Sequence, residues 1–348
     1  MALLERLMER LRSHPKRIVF PEGGDPRILQ AAREFAKNNL GVPILLGDRT
    51  EIKAKAAALG ISLEHIRIIE PSRSDEMEHL AGKFRGLQRF SNLKAKEAED
   101  YLLNNNYFAT MMLATGQASA LVSGATASAS SAIRPLLRII PLQKEVDTVS
   151  SVQILDLDDS TLGINGTLFL GDCAVIPQPD EKQIADLALT AAGICYHITN
   201  ERPRVAMLAF SSKSSNSRVP AIMRMKAATD LCHEKARKLF FDFDVDGELQ
   251  VDAALNPHVA EAKGIQSSVA GKANVLIFPS LNAGNIAIKM IQTIARCRTY
   301  GPVLTGLSKP AAEISRGANA HDIFGTAVVV GCQAIDQQLL HPTRDHAQ

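Results

Sequence analysis

Short apolar segments alternate with longer amphipathic ones along most of this chain. The apolar segments predict strands, which lie at residues 17–20, 42–46, 66–69, 120–123, 205–210, 239–245, 275–278 and 303–306. Between many of them, apolar residues recur every three or four positions over roughly 10 to 15 residues, as in helices that pack on one face. Strands that alternate with helices of this length predict βαβ units, and therefore an α/β fold with mostly parallel sheets.

One part of the chain departs from this alternation. Residues 149–155 and 167–170 both have strand patterns, but only a turn-rich segment separates them, which predicts an antiparallel excursion. A chain of 348 residues also has room for roughly two domains of about 150 residues. We therefore predict a first α/β domain over 1–146, a second over 147–300, and a return of 301–348 to the first.

The composition excludes several classes of protein. Apolar residues make up 46% of the chain and charged residues 22%, values typical of soluble globular proteins. Lys plus Arg number 39 and Asp plus Glu 37, a net charge of +2 that predicts no nucleic-acid or membrane-surface binding. No apolar run is long enough for a transmembrane helix.

The cysteines and histidines predict neither a disulfide framework nor a metal site. The five cysteines lie far apart without a CxxC pair, and the nine histidines include no HxxxH pair. Unpaired cysteines fit a reducing cytoplasm. The N-terminal segment predicts an amphipathic helix with Leu4, Leu7, Met8 and Leu11 on one face. We expect it to pack on the first domain; a targeting segment for a bacterial microcompartment is the alternative.

The loop after the predicted strand 120–123 is a candidate phosphate site. It has the sequence SGATASASS (123–131) and opens a helix that carries Arg134. Small residues let a ligand approach the backbone, and hydroxyls with the N–H groups of a helix start suit phosphate oxygens. Arg134 would add a bidentate contact. An ordinary N-cap is the alternative explanation. The GxGxxG and GxxxxGK[ST] motifs are absent from the sequence, so dinucleotide-binding and Walker-type sites have little support.

Two other polar segments are candidates for ligand binding. Residues 210–218 contain five serines, Lys213 and Arg218, and predict either a solvated loop or an anion-recognition loop at the end of a strand. The run Asp242–Gly247 resembles the start of a calcium loop. Ala253 stands where that loop needs Glu, and the alternating apolar residues predict a strand instead.

A cluster near the C-terminus combines several reactive residue types. The segment SRGANAHD contains Ser315, Arg316, His321 and Asp322. Asn319 with Asp322 three residues later also predicts a helix capping box, which is the default explanation of Asp322. A catalytic cluster is the other explanation, with Asp322 as general base, Arg316 as anion clamp and Ser315 as donor to developing charge.

Taken together, the chain resembles the phosphate acetyltransferase and phosphate butyryltransferase family, including its compact members associated with ethanolamine breakdown. The resemblance rests on segments that follow the family's order, namely RIVFPEGGDPRIL, LVSGATASASSAIRPLLRII, GDCAVIPQP, RVAMLAFSS, VDGELQVDAALNP, SSVAGKANVLIFPSLNAGN and GPVLTGLSKPAAEISRG. It implies two α/β domains with an interdomain cleft, a fold related to isocitrate and isopropylmalate dehydrogenases, and a homodimer. It also implies reversible transfer of an acyl group between phosphate and the coenzyme A thiol.

The resemblance assigns roles to particular residues. The family's catalytic Ser-Arg pair and the carboxylate seven residues after that Ser match Ser315, Arg316 and Asp322, and its phosphate-side arginine matches Arg134. The substrate-binding candidates include three serines of the loop and three residues of family-like segments farther along, namely Ser128, Ser130, Ser131, Lys272, Asn282 and Asn285. The substrates would be acetyl phosphate, phosphate and coenzyme A, with no permanently bound cofactor.

Two positions depart from the family's pattern. Ala127-Ser128-Ala129 stands where the family commonly has His-Thr-Thr, which leaves the acyl preference open between acetyl and butyryl. His321 precedes Asp322 where a carboxylate is common, and a charged imidazole there would weaken Asp322 as a base. Outside the acyltransferases, the alternatives are a non-catalytic regulatory module, as in domains fused to malic enzymes, and a hydroxy-acid dehydrogenase. The intact Ser315, Arg316 and Asp322 argue against the regulatory module, and no metal-binding carboxylate cluster supports the dehydrogenase.

Overall fold

The computed structural model describes residues 3–213, 218–239, 241–295 and 297–335. The strands are β1 (Lys16–Phe20), β2 (Gly41–Leu46), β3 (Arg67–Ile69), β4 (Ala120–Ser123), β5 (Ser150–Asp156), β6 (Thr167–Gly171), β7 (Arg204–Leu208), β8 (Asp244–Leu249), β9 (Val275–Ile277), β10 (Arg298–Thr305) and β11 (Ala311–Glu313). The helices are α1 (Leu3–Ser13), α2 (Pro26–Lys37), α3 (Arg49–Ala58), α4 (Met77–Arg85), α5 (Ala95–Leu102), α6 (Asn105–Ala114), α7 (Ala129–Ile139), α8 (Glu181–Thr199), α9 (Pro220–Leu239), α10 (Val251–Leu255), α11 (Pro257–Ala262), α12 (Leu281–Ile294) and α13 (Ala320–Gln333).

The chain divides into two compact units. Unit 1 contains the described residues up to Pro141 together with Leu307–Ile335, and unit 2 contains Leu142–Gly306. The boundaries predicted from sequence were 146 and 300. The chain therefore leaves unit 1 after Pro141 and returns to it at Leu307, so that unit 1 is assembled from two distant parts of the sequence.

Unit 1 contains a parallel sheet with strand order β3-β2-β1-β4-β11. Each adjacent pair runs parallel; for example, Ile18 of β1 pairs with Ala120 of β4, and Ala312 of β11 pairs with Val122. Because parallel neighbours end at the same edge of a sheet, the loops after β1, β4 and β11 start side by side.

The core of unit 1 is built around α13, which packs on α1 and α2. Every residue from Ile323 to Gln333 is buried, which explains the long apolar run in this helix. Helix α1 buries Leu3, Leu7 and Leu11, so Leu7 and Leu11 of the predicted face are inside while Leu4 and Met8 are half-buried. The Cys332 thiol lies 3.3 Å from the Leu7 carbonyl. The apolar face of α1 is thus occupied by its own unit.

Unit 2 contains a mixed sheet with strand order β10-β5-β6-β9-β7-β8. Strand β5 runs antiparallel to β6 and to β10, and the remaining pairs are parallel. The predicted antiparallel excursion is therefore confirmed. Helix α8 packs on β6 and β9 and is buried along most of its length, consistent with its apolar composition. Every helix of the described residues is too short or too polar to cross a membrane.

The structure corrects several of the predicted elements; strand β10, for example, begins at Arg298 and not at residue 303. Strand β8 begins at Asp244, five residues later than predicted, because α9 continues to Leu239. The predictions missed β11, because Ala-Ala-Glu is too short to show an apolar alternation. Helix α3 is capped by Asp48, whose carboxylate accepts the Glu51 N–H at 2.8 Å.

The buried thiols should not react in the native protein. Burial raises the pKa of Cys195, Cys232 and Cys332 to about 12, so almost no thiolate forms near pH 8. Cys173 is also buried, whereas Cys297 is partly exposed. Titration with an aromatic disulfide reagent at pH 8 should detect one fast thiol, absent in Cys297→Ser. Several fast thiols in the native protein would contradict this expectation.

Candidate active site

Three segments of unit 1 meet beyond the carboxyl ends of β1, β4 and β11. They are residues 21–27 after β1, residues 124–134 after β4, and residues 314–322 after β11. The sheet continues into the second and third segments, since the Ile314 N–H donates to the Ser123 carbonyl at 2.7 Å. Parallel α/β sheets bind ligands at this edge. The topology alone therefore brings the Ser315–Asp322 cluster next to the predicted phosphate loop.

Glu22 holds the first half of the phosphate loop. Its Oε2 accepts the N–H groups of Gly124 and Ala125 at 2.9 and 2.7 Å, and its Oε1 accepts those of Thr126 and Ala127 at 2.8 and 2.7 Å. The Thr126 hydroxyl donates to Oε1 as well, at 3.1 Å. These four backbone donors therefore bind a carboxylate of the chain itself.

Arg27 joins all three segments. Its Nη1 donates to the carbonyls of Arg316 and Ala318 at 2.6 and 2.9 Å, and its Nη2 donates to the Ala125 carbonyl at 2.8 Å. The same guanidinium pairs with Asp25 at 2.9 Å. A guanidinium has five donors in a fixed plane, whereas a lysine ammonium has three donors on one atom. Arg27 thus fixes the backbone on both sides of the candidate site.

Gly124 allows the phosphate loop to pass close to the segment after β11. Its φ is +109°, a conformation that side-chain-bearing residues rarely adopt. A Cβ at this position would lie 2.3 Å from the Ile314 carbonyl oxygen, closer than van der Waals contact permits. The glycine is therefore required where the two loops touch.

The second half of the loop forms the start of α7. Ser128 is the N-cap, and its hydroxyl accepts the Ser131 N–H at 3.3 Å while lying 3.2 Å from the Ser130 hydroxyl. Arg134 is exposed in the second turn of α7, which packs against β11. Ser128 therefore caps α7, which was the alternative explanation for this loop. The exposed hydroxyls of Ser128, Ser130 and Ser131 lie at the start of α7, together with Arg134.

Ser315 and Arg316 follow β11 directly. The Ser315 hydroxyl oxygen accepts the Gly317 N–H at 3.3 Å and is half-buried. Arg316 is exposed, while its carbonyl is held by Arg27. The backbone of the pair is therefore fixed and the Arg316 guanidinium remains at the surface.

Asp322 forms the capping box predicted from the sequence. The Asn319 side chain accepts the Asp322 N–H at 2.9 Å, and the Asp322 carboxylate accepts the Asn319 N–H at 3.4 Å. The second contact is long for a hydrogen bond, and the half-buried carboxylate has two oxygens that can each accept more than one such bond. Capping and catalysis are thus compatible roles. The exposed His321 ring lies 6.4 Å from the Phe324 ring, centroid to centroid.

The remaining predicted substrate-binding residues lie in unit 2. Lys272 precedes β9, whereas Asn282 and Asn285 lie on α12, which follows the carboxyl end of β9. They therefore occupy opposite ends of that strand and form no common group. All three are exposed, and the Asn285 amide donates to the Cys173 carbonyl at 3.0 Å.

The described part of the serine-rich segment 210–218 is bonded to its own unit. Ser211 contacts Glu248, Ser212 accepts the Gln250 N–H at 2.9 Å, and Lys213 pairs with Asp246. Residues 214–217 lie outside the described residues.

The calcium-like run lies partly in a strand. Asp244 and Asp246 belong to β8, and Arg202 binds both Asp242 and Asp244. Over residues 3–213, 218–239, 241–295 and 297–335, no cluster of three or more His, Cys, Asp or Glu could hold a metal ion.

The sequence analysis gave no role to Glu22 or Arg27. Both residues lie in the segment RIVFPEGGDPRIL, which contributed only to the family resemblance; in the structure its Asp25 caps α2 and Pro26 is the first residue of that helix. The available signal was position, because charged residues directly after the first strand of a parallel sheet lie at its ligand-binding edge.

The pair of Asp25 and Arg27 predicts a pH-dependent stability. Burial of Asp25 opposes its ionisation, but hydrogen bonds from Arg27 outweigh burial and hold the pKa of Asp25 below its ordinary value. Asp25→Asn keeps the helix cap and removes the charge. Urea unfolding should show the variant less stable than wild type at pH 7, on the order of 1 kcal/mol.

This difference should disappear in acid. A lowered folded-state pKa gives stability that is complete above the unfolded value, near 3.9, and is lost as the pH falls through the folded value. Unfolding curves measured at decreasing pH should therefore converge. A difference in the free energy of unfolding that stays constant as the pH falls would show that the charge of Asp25 contributes nothing to stability.

The fold and this site define the class of the protein, an α/β protein with Ser, Arg and Asp side chains gathered at the carboxyl edge of a parallel sheet. A model of the family described as "Phosphate acetyl/butaryl transferase" matches residues 2–330. The chain belongs to this family.

Several relatives support the assignment. The chain is 37% identical over 334 residues to a phosphate acetyltransferase of Acetivibrio thermocellus, covering 96% of this chain and 98% of that protein. It is 37% identical over 333 residues to a phosphate acetyltransferase of Bacillus subtilis, covering 96% and 99%. Among solved structures, EutD phosphotransacetylase from Staphylococcus aureus superposes with a TM-score of 0.86 at 34% identity, covering 95% of this chain and 98% of that chain.

Proposed function

We propose that this protein is a phosphate acetyltransferase, which transfers an acetyl group reversibly between phosphate and the thiol of coenzyme A. The observation that carries the proposal is the meeting of Ser315, Arg316 and Asp322 with the loop that leads to Arg134, at one edge of one sheet. The family and the relatives' names agree with this chemistry.

Asp322 would act as the general base. A coenzyme A thiol resembles a cysteine, whose pKa is about 8.5, so a base must take its proton at neutral pH. Asp322 takes that proton, and the thiolate attacks the carbonyl carbon of acetyl phosphate. The new C–S bond forms, the C–O bond to phosphate breaks, and the phosphate leaves with that electron pair. No covalent enzyme intermediate is needed.

Ser315 and the two arginines would act on the developing charge. The Ser315 hydroxyl donates a hydrogen bond to the negative oxygen that forms during attack. Arg316 and Arg134 bind the phosphate group, for which the planar guanidinium is suited. Substrate anions thus require only a few fixed arginines, which is compatible with a net charge of +2.

A direct assay tests the proposal. Purified protein with acetyl phosphate and coenzyme A should form a thioester, followed by its ultraviolet absorbance, and should release one phosphate per thioester. No thioester from acetyl, propionyl or butyryl phosphate would overturn the proposal and favour the regulatory module. Faster turnover of butyryl than of acetyl phosphate would identify a phosphate butyryltransferase instead.

We also propose a homodimer in which α12 forms part of the interface. Ile286, Met290 and Ile294 are 59%, 55% and 74% exposed, and their spacing of four places them along one helix face. A second copy of the chain would cover this apolar stripe with the same stripe. Light scattering should give twice the chain mass of 37.6 kDa, and Met290→Asp should shift the mass toward the monomer. An unchanged mass in the variant would exclude α12.

We propose that the protein is located in the cytoplasm. Five widely spaced cysteines without a CxxC pair fit the cytoplasm. Association with a microcompartment through α1 has less support, because the apolar face of that helix is packed against α13.

A further inference from the structure

The carboxylate of Glu22 accepts five hydrogen bonds in unit 1, yet the reaction above does not use it. Four consecutive N–H groups, from Gly124 to Ala127, point at its two oxygens. Consecutive N–H groups directed at one place form a concave anion site. The segment is therefore built to bind an anion, and the chain fills it with its own carboxylate.

We propose that Glu22 is a positioning residue for the phosphoryl group of the substrate. The Glu22 carboxylate fixes the loop formed by residues 124–127. It also occupies the concave site formed by the four N–H groups, so that the phosphate of the substrate binds at residues 128–134 instead. This inference rests on the proposed function, in which Arg134 and Arg316 bind the phosphate of acetyl phosphate, and it adds the hydroxyls of Ser128 and Ser130 to that site.

The hydrogen bonds show how Glu22 acts on the phosphate-binding residues. Ala127 is bonded to Glu22, and the next residue, Ser128, caps α7. The start of α7, with its hydroxyls and Arg134, therefore takes its position from Glu22. Arg27 holds the Ala125 carbonyl of the same loop. Without the carboxylate, four N–H groups lose their acceptor, and the loop must either move or capture another anion.

The surroundings of Glu22 provide a way to replace it. Glu22 is half-buried and lines a cavity of about 380 Å³, together with Gly47, Asn105 and Thr126. Truncation of the side chain would enlarge this space without closing it. A small carboxylate from solution can then enter and occupy the vacated position. Glu51 lines the same cavity but is bonded to Lys55, and so it provides a matched control.

The test compares Glu22→Ala with wild type in the thioester assay. The variant should raise KM for acetyl phosphate about tenfold or more while KM for coenzyme A changes less than about twofold. Added formate should restore KM for acetyl phosphate in a saturable manner, and chloride at equal ionic strength should not. Glu51→Gln should keep both KM values within about twofold of wild type.

Two results would overturn the proposal. The first is an unchanged KM for acetyl phosphate in Glu22→Ala. The second is a joint change of kcat and both KM values without formate rescue, which is the result of a purely structural role. Should Glu22→Ala fail to fold, Glu22→Gln permits the same KM comparison, because an amide has only one acceptor oxygen.

A thermal measurement separates this proposal from the proposed function. Formate should raise the melting temperature of Glu22→Ala in a saturable manner and leave that of wild type unchanged. This result does not require acyl transfer. Wild-type protein without thioester formation would overturn the function, whereas a melting temperature of Glu22→Ala that is insensitive to formate would overturn the role of Glu22.

Discussion

Asp322→Asn should lose about 10²- to 10⁴-fold in kcat for thioester formation, because a general base contributes a factor of that size. The amide keeps an oxygen that can accept the Asn319 N–H, so the start of α13 should remain folded. Coenzyme A binding, measured by calorimetry, should change little, since the base acts on the thiol and not on the nucleotide.

The control variant disrupts the helix cap and keeps the candidate base. Asn319→Ala removes the acceptor of the Asp322 N–H and leaves the carboxylate in place. It should lower the free energy of unfolding by about 1 kcal/mol with a much smaller loss of kcat. Comparable turnover in Asp322→Asn and wild type would show that Asp322 is only a cap.

Ser315→Ala should reduce kcat by about 10²- to 10³-fold, the usual effect of removing one donor to developing oxyanion charge. KM for acetyl phosphate should change far less, because the bond forms fully only in the transition state. The same substitution at Ser308, before the amino end of β11, is the matched control and should leave kcat near wild type. Equal losses of kcat in Ser315→Ala and Ser308→Ala would show that Ser315 has no particular role in stabilising the transition state.

Most of the fold follows from the sequence because its strands and helices have strong apolar periods. The parallel sheet of unit 1 and the antiparallel pairing of β5 with β6 both follow from the lengths of the connecting segments. Strand β11 was missed because Ala-Ala-Glu is both short and weakly apolar, unlike the equally short β9 with its sequence Val-Leu-Ile. It nevertheless positions Ser315, so the strand next to the reactive segment is the one that local pattern cannot predict.

The candidate site shows the same division between local and long-range information. The capping box of Asn319 and Asp322 is local, and its spacing of three residues predicts it. The bonds of Glu22 and Arg27 span about 100 and 290 residues, and no spacing rule connects such positions. They depend on which strands become neighbours in the sheet, and hence on the packing of the whole unit.

The division of unit 1 into two sequence segments also affects how the protein is made. Residues 142–306 are contiguous and are synthesised completely before β11 and α13 exist. Unit 2 can therefore fold on the ribosome first, as domains generally do once their sequence is complete. Unit 1 must wait for its central helix, α13, with its first segment exposed. Because α13 also carries Asp322, prematurely terminated chains lack both a complete core in unit 1 and the reactive carboxylate.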